Sequence, residues 1–309
     1  MSRVQIVKKS VICYNLNVAE SGGAANWCLN RNSPEISMEQ ESRGQLFYKV
    51  WEVLGPFIIY YVTYNMAFLL IAYLCNAAMG YFGTELQEYA ISHEAALTEM
   101  VSGLSMMIGV LPLIPMLQKE LDVNTAETKG GTVRRKAVDI VLTVILAASA
   151  SVGFNILLTL TGFVQTSTVY QDVAMQQYSV VYGVGALLFG LVSPITEEIV
   201  FRGLVFNRMR RFYPTAVAII VSGILFGAYH GNPVQGVYGT CMGILLAYTY
   251  ARTRSFFIPC LFHAVANITV YTLAQNAELH AQLFTVPGCI ILLVISVICI
   301  FMLEKLKEK

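Results

Sequence analysis

The sequence predicts an all-α, polytopic membrane protein with about eight transmembrane helices and both termini cytoplasmic. Three observations predict it. The chain is 56% hydrophobic and only 13% charged, with a mean hydropathy of +0.61, whereas a soluble domain has roughly 25% charged residues. Its apolar residues gather into eight runs of about 20 residues, the length that crosses a bilayer as a helix. All 20 Lys and Arg fall on alternate segments between those runs, as expected if those segments are cytoplasmic.

Taken in order, residues 1–50 read as a polar cytoplasmic tail. Its stretch "VKKSVICYNLNV" has too short an apolar core and no small-residue cleavage site for a secretory signal. Residues 51–178 hold three spans, at 52–77, 97–117 and 137–163. Residues 179–275 form a candidate catalytic core of four more, at 179–203, 214–230, 234–250 and 256–274. The short connections between the last three make them antiparallel neighbours. Residues 276–309 hold a final span, 283–303, and a basic tail. The basic clusters lie before the first span, between the second and third, after the fourth, between the sixth and seventh, and at the C-terminus. The opposite face has no Lys or Arg, and its first loop carries Glu85, Glu88 and Glu94. These small, dispersed basic clusters give no nucleic-acid footprint. Seven cysteines without a CxxC make neither a disulfide framework nor a redox motif. No internal repeat of the kind common in transporters is visible.

Polar residues inside the spans of the second half point to chemistry. "SPITEEIVFRG" (193–203) places Glu197, Glu198 and Arg202 beside strongly apolar sequence, where an ionised side chain costs ~2.5–3.5 kcal/mol on insertion scales. Glu198 and Arg202, four apart, share a helix face in the favoured order. That pair alone reads as a structural lock. Glu197 points about 100° away and is expected to lack that partner, which makes it the candidate base. Pro194 predicts a break in the helix at the preceding residue. Phe226 and His230 share a face, as do His263 and Asn267, again by four-residue spacing. The plain alternatives are an interfacial His230 and an Asn267 that serves as interhelical glue. Gly223, Gly227 and Gly231, with Gly239 and Gly243 on the next span, predict close approach of two helices. Counting rise along the helices puts Glu197, His263 and Asn267 near mid-membrane and His230 further from the basic end.

Such a set fits peptide-bond hydrolysis, which needs an activated water, an oxyanion donor and a proton source for the leaving amine. Glu197, His230 and His263 could instead be three ligands of a catalytic zinc with an open position. HExxH is absent, so no cofactor is favoured, with zinc as the open alternative.

"EEIVFR", "FGAYH" and "HAVAN" resemble the EExxxR, FxxxH and HxxxN motifs of the CPBP family, the CAAX-protease and bacteriocin-processing membrane proteins that include the type II CAAX prenyl endopeptidases. The resemblance covers roughly residues 180–275. It implies an eight-span fold in the cell membrane, with a conical cavity open to the cytoplasm and lipid. It also implies Glu197 as general base, His230 on the water, and His263 with Asn267 as the oxyanion hole. Glu198, Arg202 and Phe226 carry over as supporting motif residues. The implied partners are the lipid bilayer and a membrane-anchored protein or peptide: a prenylated CAAX protein, a pheromone or a bacteriocin leader. Two other functions compete. One is a non-catalytic adaptor or immunity protein, and the other a proton-coupled carrier using Glu197 and His230.

Overall fold

All eight apolar runs are helical. The structure, a computed structural model, describes residues 43–126 and 133–307. The expected tail therefore lies outside the described residues up to position 42. The chain divides into Met1–Leu46 and the unit Phe47–Lys309, and it is the second that carries the site. No strand occurs among the described residues.

The helices are α1 (Arg43–Phe82), α2 (Thr84–Ser92), α3 (Glu94–Val110), α4 (Ile114–Ala126), α5 (Val133–Leu160), α6 (Thr168–Ser179) and α7 (Tyr182–Leu187). They continue with α8 (Ser193–Glu198), α9 (Asn207–Phe212), α10 (Thr215–Tyr229), α11 (Pro233–Thr253), α12 (Phe257–Ala274), α13 (Ala277–Leu283) and α14 (Val286–Lys307). Six segments are long and apolar enough to cross a membrane unaided: Arg43–Tyr81, Glu94–Leu121, Ala137–Leu160, Tyr182–Phe212, Phe257–Ala274 and Val286–Leu306. The other two expected spans are α10, with 15 residues, and α11, whose apolar run is interrupted by Gln235, Thr240 and Thr249. Fifteen residues reach only ~22 Å, short of the ~30 Å hydrocarbon layer. These two helices pack on each other, and α10 keeps an exposed apolar face of Val217, Ile220 and Ile224, so its length and not its apolar surface sets it apart from the six.

Glycine sets their spacing. A Cβ on Gly227 would lie 2.3 Å from the Gly236 carbonyl oxygen, and one on Gly223 would lie 2.8 Å from the Ile244 nitrogen. The backbones therefore touch, as the glycine spacing predicts. Gly231 does not belong to this stripe, contrary to expectation. It is exposed, has φ +72° and would meet nothing within 4 Å. Its job is to turn the chain between α10 and α11, with Asn232 capping α11 through its side chain and Pro233 in the first turn.

The segment Tyr182–Phe212 also departs from expectation. Pro194 does not break it. Val192 and Ser193 keep right-handed helical dihedrals, and the helix widens instead. Leu188–Val192 and Ile199–Phe206 are π-helical on either side of α8. Proline lacks an N–H and its ring crowds the carbonyl one turn back. An i→i+5 turn just before it accommodates both faults, and such π segments recur at functional sites.

Ion pairs gather the Arg-bearing ends of several helices. Arg208 and Arg211 pair with Glu120 at 3.2 and 2.6 Å, and Arg252 pairs with Asp139 at 2.8 Å. Just inside that end, Val200, Phe201, Leu204, Val205 and Phe206 are fully buried. Overpacking typically costs ~1–3 kcal/mol, so Gly227→Ala should lower the unfolding temperature in detergent. Gly236→Ala, whose new Cβ would come no nearer than 3.9 Å to any neighbour, should leave it unchanged or raise it.

Candidate active site

The site is built outward from Arg202. Arg202 and Glu198 are both 0% exposed, and Arg202 Nη1 donates to Glu198 Oε1 at 2.9 Å. Arg202 Nη2 donates to the Gly243 carbonyl at 2.9 Å. The guanidinium carbon lies 4.6 Å from the centre of the Phe226 ring, within cation–π range. Glu198 Oε1 also accepts from His263 Nδ1 at 2.9 Å. One buried ion pair thus ties the motif segment to α10, α11 and α12.

The FxxxH spacing has a local reason. His230 caps the end of α10, and its Nδ1 lies 2.9 Å from the Phe226 carbonyl oxygen. A carbonyl only accepts, so Nδ1 carries the proton and Nε2 is the acceptor of the neutral ring. The imidazole rests against Gly239, where a Cβ would sit 3.4 Å from Nδ1. The HxxxN pair divides its work. With ionised Glu198 holding the Nδ1 proton of His263, Nε2 of His263 can donate only when the ring is an imidazolium. Asn267 donates one amide N–H to the Phe189 carbonyl at 3.0 Å and keeps a second.

Glu197 is not unpartnered, which corrects the reading from spacing alone. The Ser193 hydroxyl donates to Glu197 Oε1 at 2.7 Å, and His263 Nε2 lies 3.8 Å from Glu197 Oε2. The latter separation is too long for a hydrogen bond, but a single water can contact both atoms. The Ser193–Glu197 contact follows from four-residue spacing within "SPITE", a signal the sequence carries beside the more conspicuous Glu198–Arg202 pair.

Glu197, His230, His263, Asn267, Phe226 and Ser193 all line one cavity of about 240 Å³. The Phe226 ring separates the two imidazoles, with centroids 5.0 Å from His230 and 5.5 Å from His263. The anticipated depth mismatch of His230 is absorbed because the cavity is deep. It runs from Leu246 and His263 up to Val234 and Gln235 at the start of α11. Glu198 and Arg202 are not among its lining residues; they brace it from behind. Glu99 lines the cavity and accepts from Gln176 at 3.2 Å. Among the described residues, no group of three or more His, Cys, Asp or Glu is placed to hold a metal ion.

Over the cavity lies α6, which hydropathy did not reveal. Tyr170, Ala174, Gln177 and Tyr178 face inward from it at the i, i+4, i+7, i+8 spacing of one helix face. Ser167 caps it by accepting from the Tyr170 N–H. Gln275 donates to the Tyr178 carbonyl at 2.6 Å, and Tyr271 to the Val180 carbonyl at 2.6 Å. These bonds hold α6 and the residue after it to the end of α12.

Residues 179–269 match the family model "Type II CAAX prenyl endopeptidase Rce1-like". The chain is also 24% identical over 210 residues to "Putative membrane peptidase YdiL" of Bacillus subtilis (strain 168), covering 62% of this chain and 77% of that protein. No solved structure matches.

Removing one partner of a buried ion pair typically costs ~3–5 kcal/mol. Arg202→Leu should destabilise the purified protein by that order in thermal or denaturant unfolding. Adding Glu198→Gln should restore part of the loss, because it removes the stranded charge.

Proposed function

We propose that this chain is a CPBP-type intramembrane endopeptidase acting through a carboxylate-activated water, a reading that the match of residues 179–269 and the similarity to a putative membrane peptidase support. One observation carries the proposal: side chains from all three motifs line a single cavity. In this mechanism Glu197 takes a proton from a water whose oxygen attacks the scissile carbonyl carbon. His230 Nε2 orients that water. The remaining Asn267 N–H, with His263 as imidazolium, stabilises the tetrahedral oxyanion. Collapse breaks the C–N bond, and the amine leaves with the proton taken up in the first step, passed from Glu197 directly or through His230. Glu198 and Arg202 are positioning residues that act through His263.

The substrate is a membrane-associated protein or peptide, and the setting a multi-pass cell-membrane protein with both termini cytoplasmic, as the charge partition indicates. CAAX-type and bacteriocin- or pheromone-type processing are both within the family's chemistry.

Glu197→Ala should abolish cleavage while insertion and thermal stability persist. Comparing the peptides of cells carrying wild-type chain with those carrying Glu197→Ala checks this, and an unchanged peptide set would overturn the assignment. Asn267→Ala should lower kcat by about 10²–10³. Ser193→Ala, which loses one hydrogen bond to a charged group, should lower it by roughly 10–100-fold.

A further inference from the structure

We infer that Glu99 is a specificity residue: it pairs with a Lys or Arg side chain of the substrate, about six extended residues from the bond that is cut. The inference rests on the peptidase reading above for the cut, whereas the pairing itself is a matter of binding and needs no catalysis.

Glu99 is a carboxylate without a cation. It lies in the span that begins with α3, is half-buried and lines the cavity. The buried carboxylates of the other helices have cations of their own. Glu198 pairs with Arg202, Glu120 with Arg208 and Arg211, and Asp139 with Arg252, while Glu197 has His263 Nε2 at 3.8 Å. Among the described residues no Lys, Arg or His pairs with Glu99, and its one hydrogen bond comes from Gln176 Nε2 to Oε1 at 3.2 Å. Oε2 is left for a donor from outside the chain. A carboxylate inside a span is a functional-site candidate by default, and the partner this one lacks is a cation.

Holding α6 does not require that charge. Gln176 belongs to α6, so its bond to Glu99 ties that helix to α3. A neutral amide at position 99 would accept the same N–H through its carbonyl oxygen and avoid the desolvation cost of a carboxylate. The end of α6 is also held elsewhere, by Gln275 on the Tyr178 carbonyl and Tyr271 on the Val180 carbonyl. The fold uses Glu99 as an acceptor only, and its charge is explained by a ligand.

The surroundings suit a long cationic side chain. The cavity wall contains no Lys or Arg, and Glu197 is its other carboxylate, so its potential favours cations. The Tyr178 ring, two residues on from Gln176, lies 6.2 Å from that of Tyr271, which lies 5.3 Å from Phe189. All three line the cavity. Aromatic faces accept the methylene stem of Lys or Arg and attract its charged head.

Rise along the helices sets the distance from the cut. A Cβ on Gly103 would lie 2.5 Å from Leu188 Cδ2, so these two residues are level. The second and fourth of the alternating spans, which hold α3 and the motif segment, run in the same direction. Glu99 is four residues before Gly103, and Glu197 is nine after Leu188. Thirteen residues of helix rise ~20 Å, which an extended peptide covers in about six residues. Ser102 and Met106, the next positions on that face of α3, line the cavity beyond Glu99 in the direction of Glu197.

The test uses the full chain in phosphatidylcholine nanodiscs, in a Glu197→Gln background so that probes are bound and not cut. The probes are fluorescein-labelled Leu/Ala peptides with one central Lys, norleucine or Glu, and binding is read by anisotropy against empty nanodiscs. The Lys peptide should bind roughly 10–100-fold more tightly than the norleucine peptide. Glu99→Gln, which keeps an acceptor for Gln176, should make the two equal, and Glu99→Lys should make the Glu peptide the tightest. Gln176→Ala, which cuts the tie to α6 and keeps the charge, should retain the Lys preference. Equal binding of the Lys and norleucine peptides with Glu99 in place overturns the inference. So does a Lys preference that survives Glu99→Gln, or one that is lost in Gln176→Ala. For the distance, the wild-type chain is given the peptides of a glutamyl-endopeptidase digest, and its cut sites are read by mass spectrometry. Lys or Arg should be enriched about six residues from Glu197-dependent cuts, and Glu99→Gln should flatten the enrichment. Glu197-dependent cuts without it overturn the assigned distance. If no cut depends on Glu197, the peptidase reading falls, while the binding comparison still decides the pairing.

Discussion

The buried contact between Arg202 and Glu198 is the constraint on which the site depends. Taking both charges out of water costs several kcal/mol per ion, and mutual attraction alone seldom repays it. Arg202 repays it by spending its donors on different helices: one on Glu198, one on the Gly243 carbonyl, with the guanidinium carbon over Phe226. Each of these contacts fixes a part of the catalytic wall. Gly243 sits where α11 meets α10, Phe226 stands between the two imidazoles, and Glu198 holds His263 by Nδ1. The fit is not perfect. Glu198 Oε2 and Arg202 Nε are buried without a hydrogen-bond partner, so some desolvation cost stays uncompensated. A pair kept under those terms is better explained by the geometry it enforces than by net stability.

Both imidazoles are handled in the same way. Each has Nδ1 committed to an acceptor, the Phe226 carbonyl for His230 and Glu198 for His263. Each therefore keeps Nε2 as the working atom. The acceptors differ in charge, which separates the roles. A carbonyl simply fixes the tautomer of His230, whereas Glu198 also ties His263 to the buried Arg202. Adjacent glutamates thus diverge: Glu198 is spent behind the wall, and Glu197, one residue earlier, is left on the cavity side with only a hydroxyl donor.

The sequence revealed the parts of the site governed by short-range spacing. Four-residue intervals identified Glu198 with Arg202, Phe226 with His230 and His263 with Asn267, and the glycine intervals identified the α10–α11 contact. Hydropathy located the six segments long and apolar enough to cross a membrane and the runs that form α10 and α11, because a lipid-facing helix must be apolar along its length. It could not show which faces of α10 and α11 line the cavity, since apolar content does not say which surface a helix faces. It could not show α6, whose residues are polar enough to read as a loop. Pro194 misled for a related reason. Local preference argues for a break, but in a low-dielectric interior freed backbone groups are too costly, and the chain widens into π-helix to keep them bonded.

A cavity closed at one end is the last consequence of these choices. An intramembrane hydrolase must admit water to one carboxylate without hydrating the ion pair beside it. Here the two needs are met by direction. Glu197 and the Nε2 atoms lie toward the end roofed by α6, while Glu198 and Arg202 are backed by Phe201, Leu204 and Phe206. A second opening at the basic end would have to pass through that aromatic and aliphatic layer and would solvate Arg202, loosening its hold on Gly243, Phe226 and, through Glu198, His263. The same packing that preserves the ion pair therefore keeps the cavity closed at the end where Val200, Phe201, Leu204 and Phe206 lie.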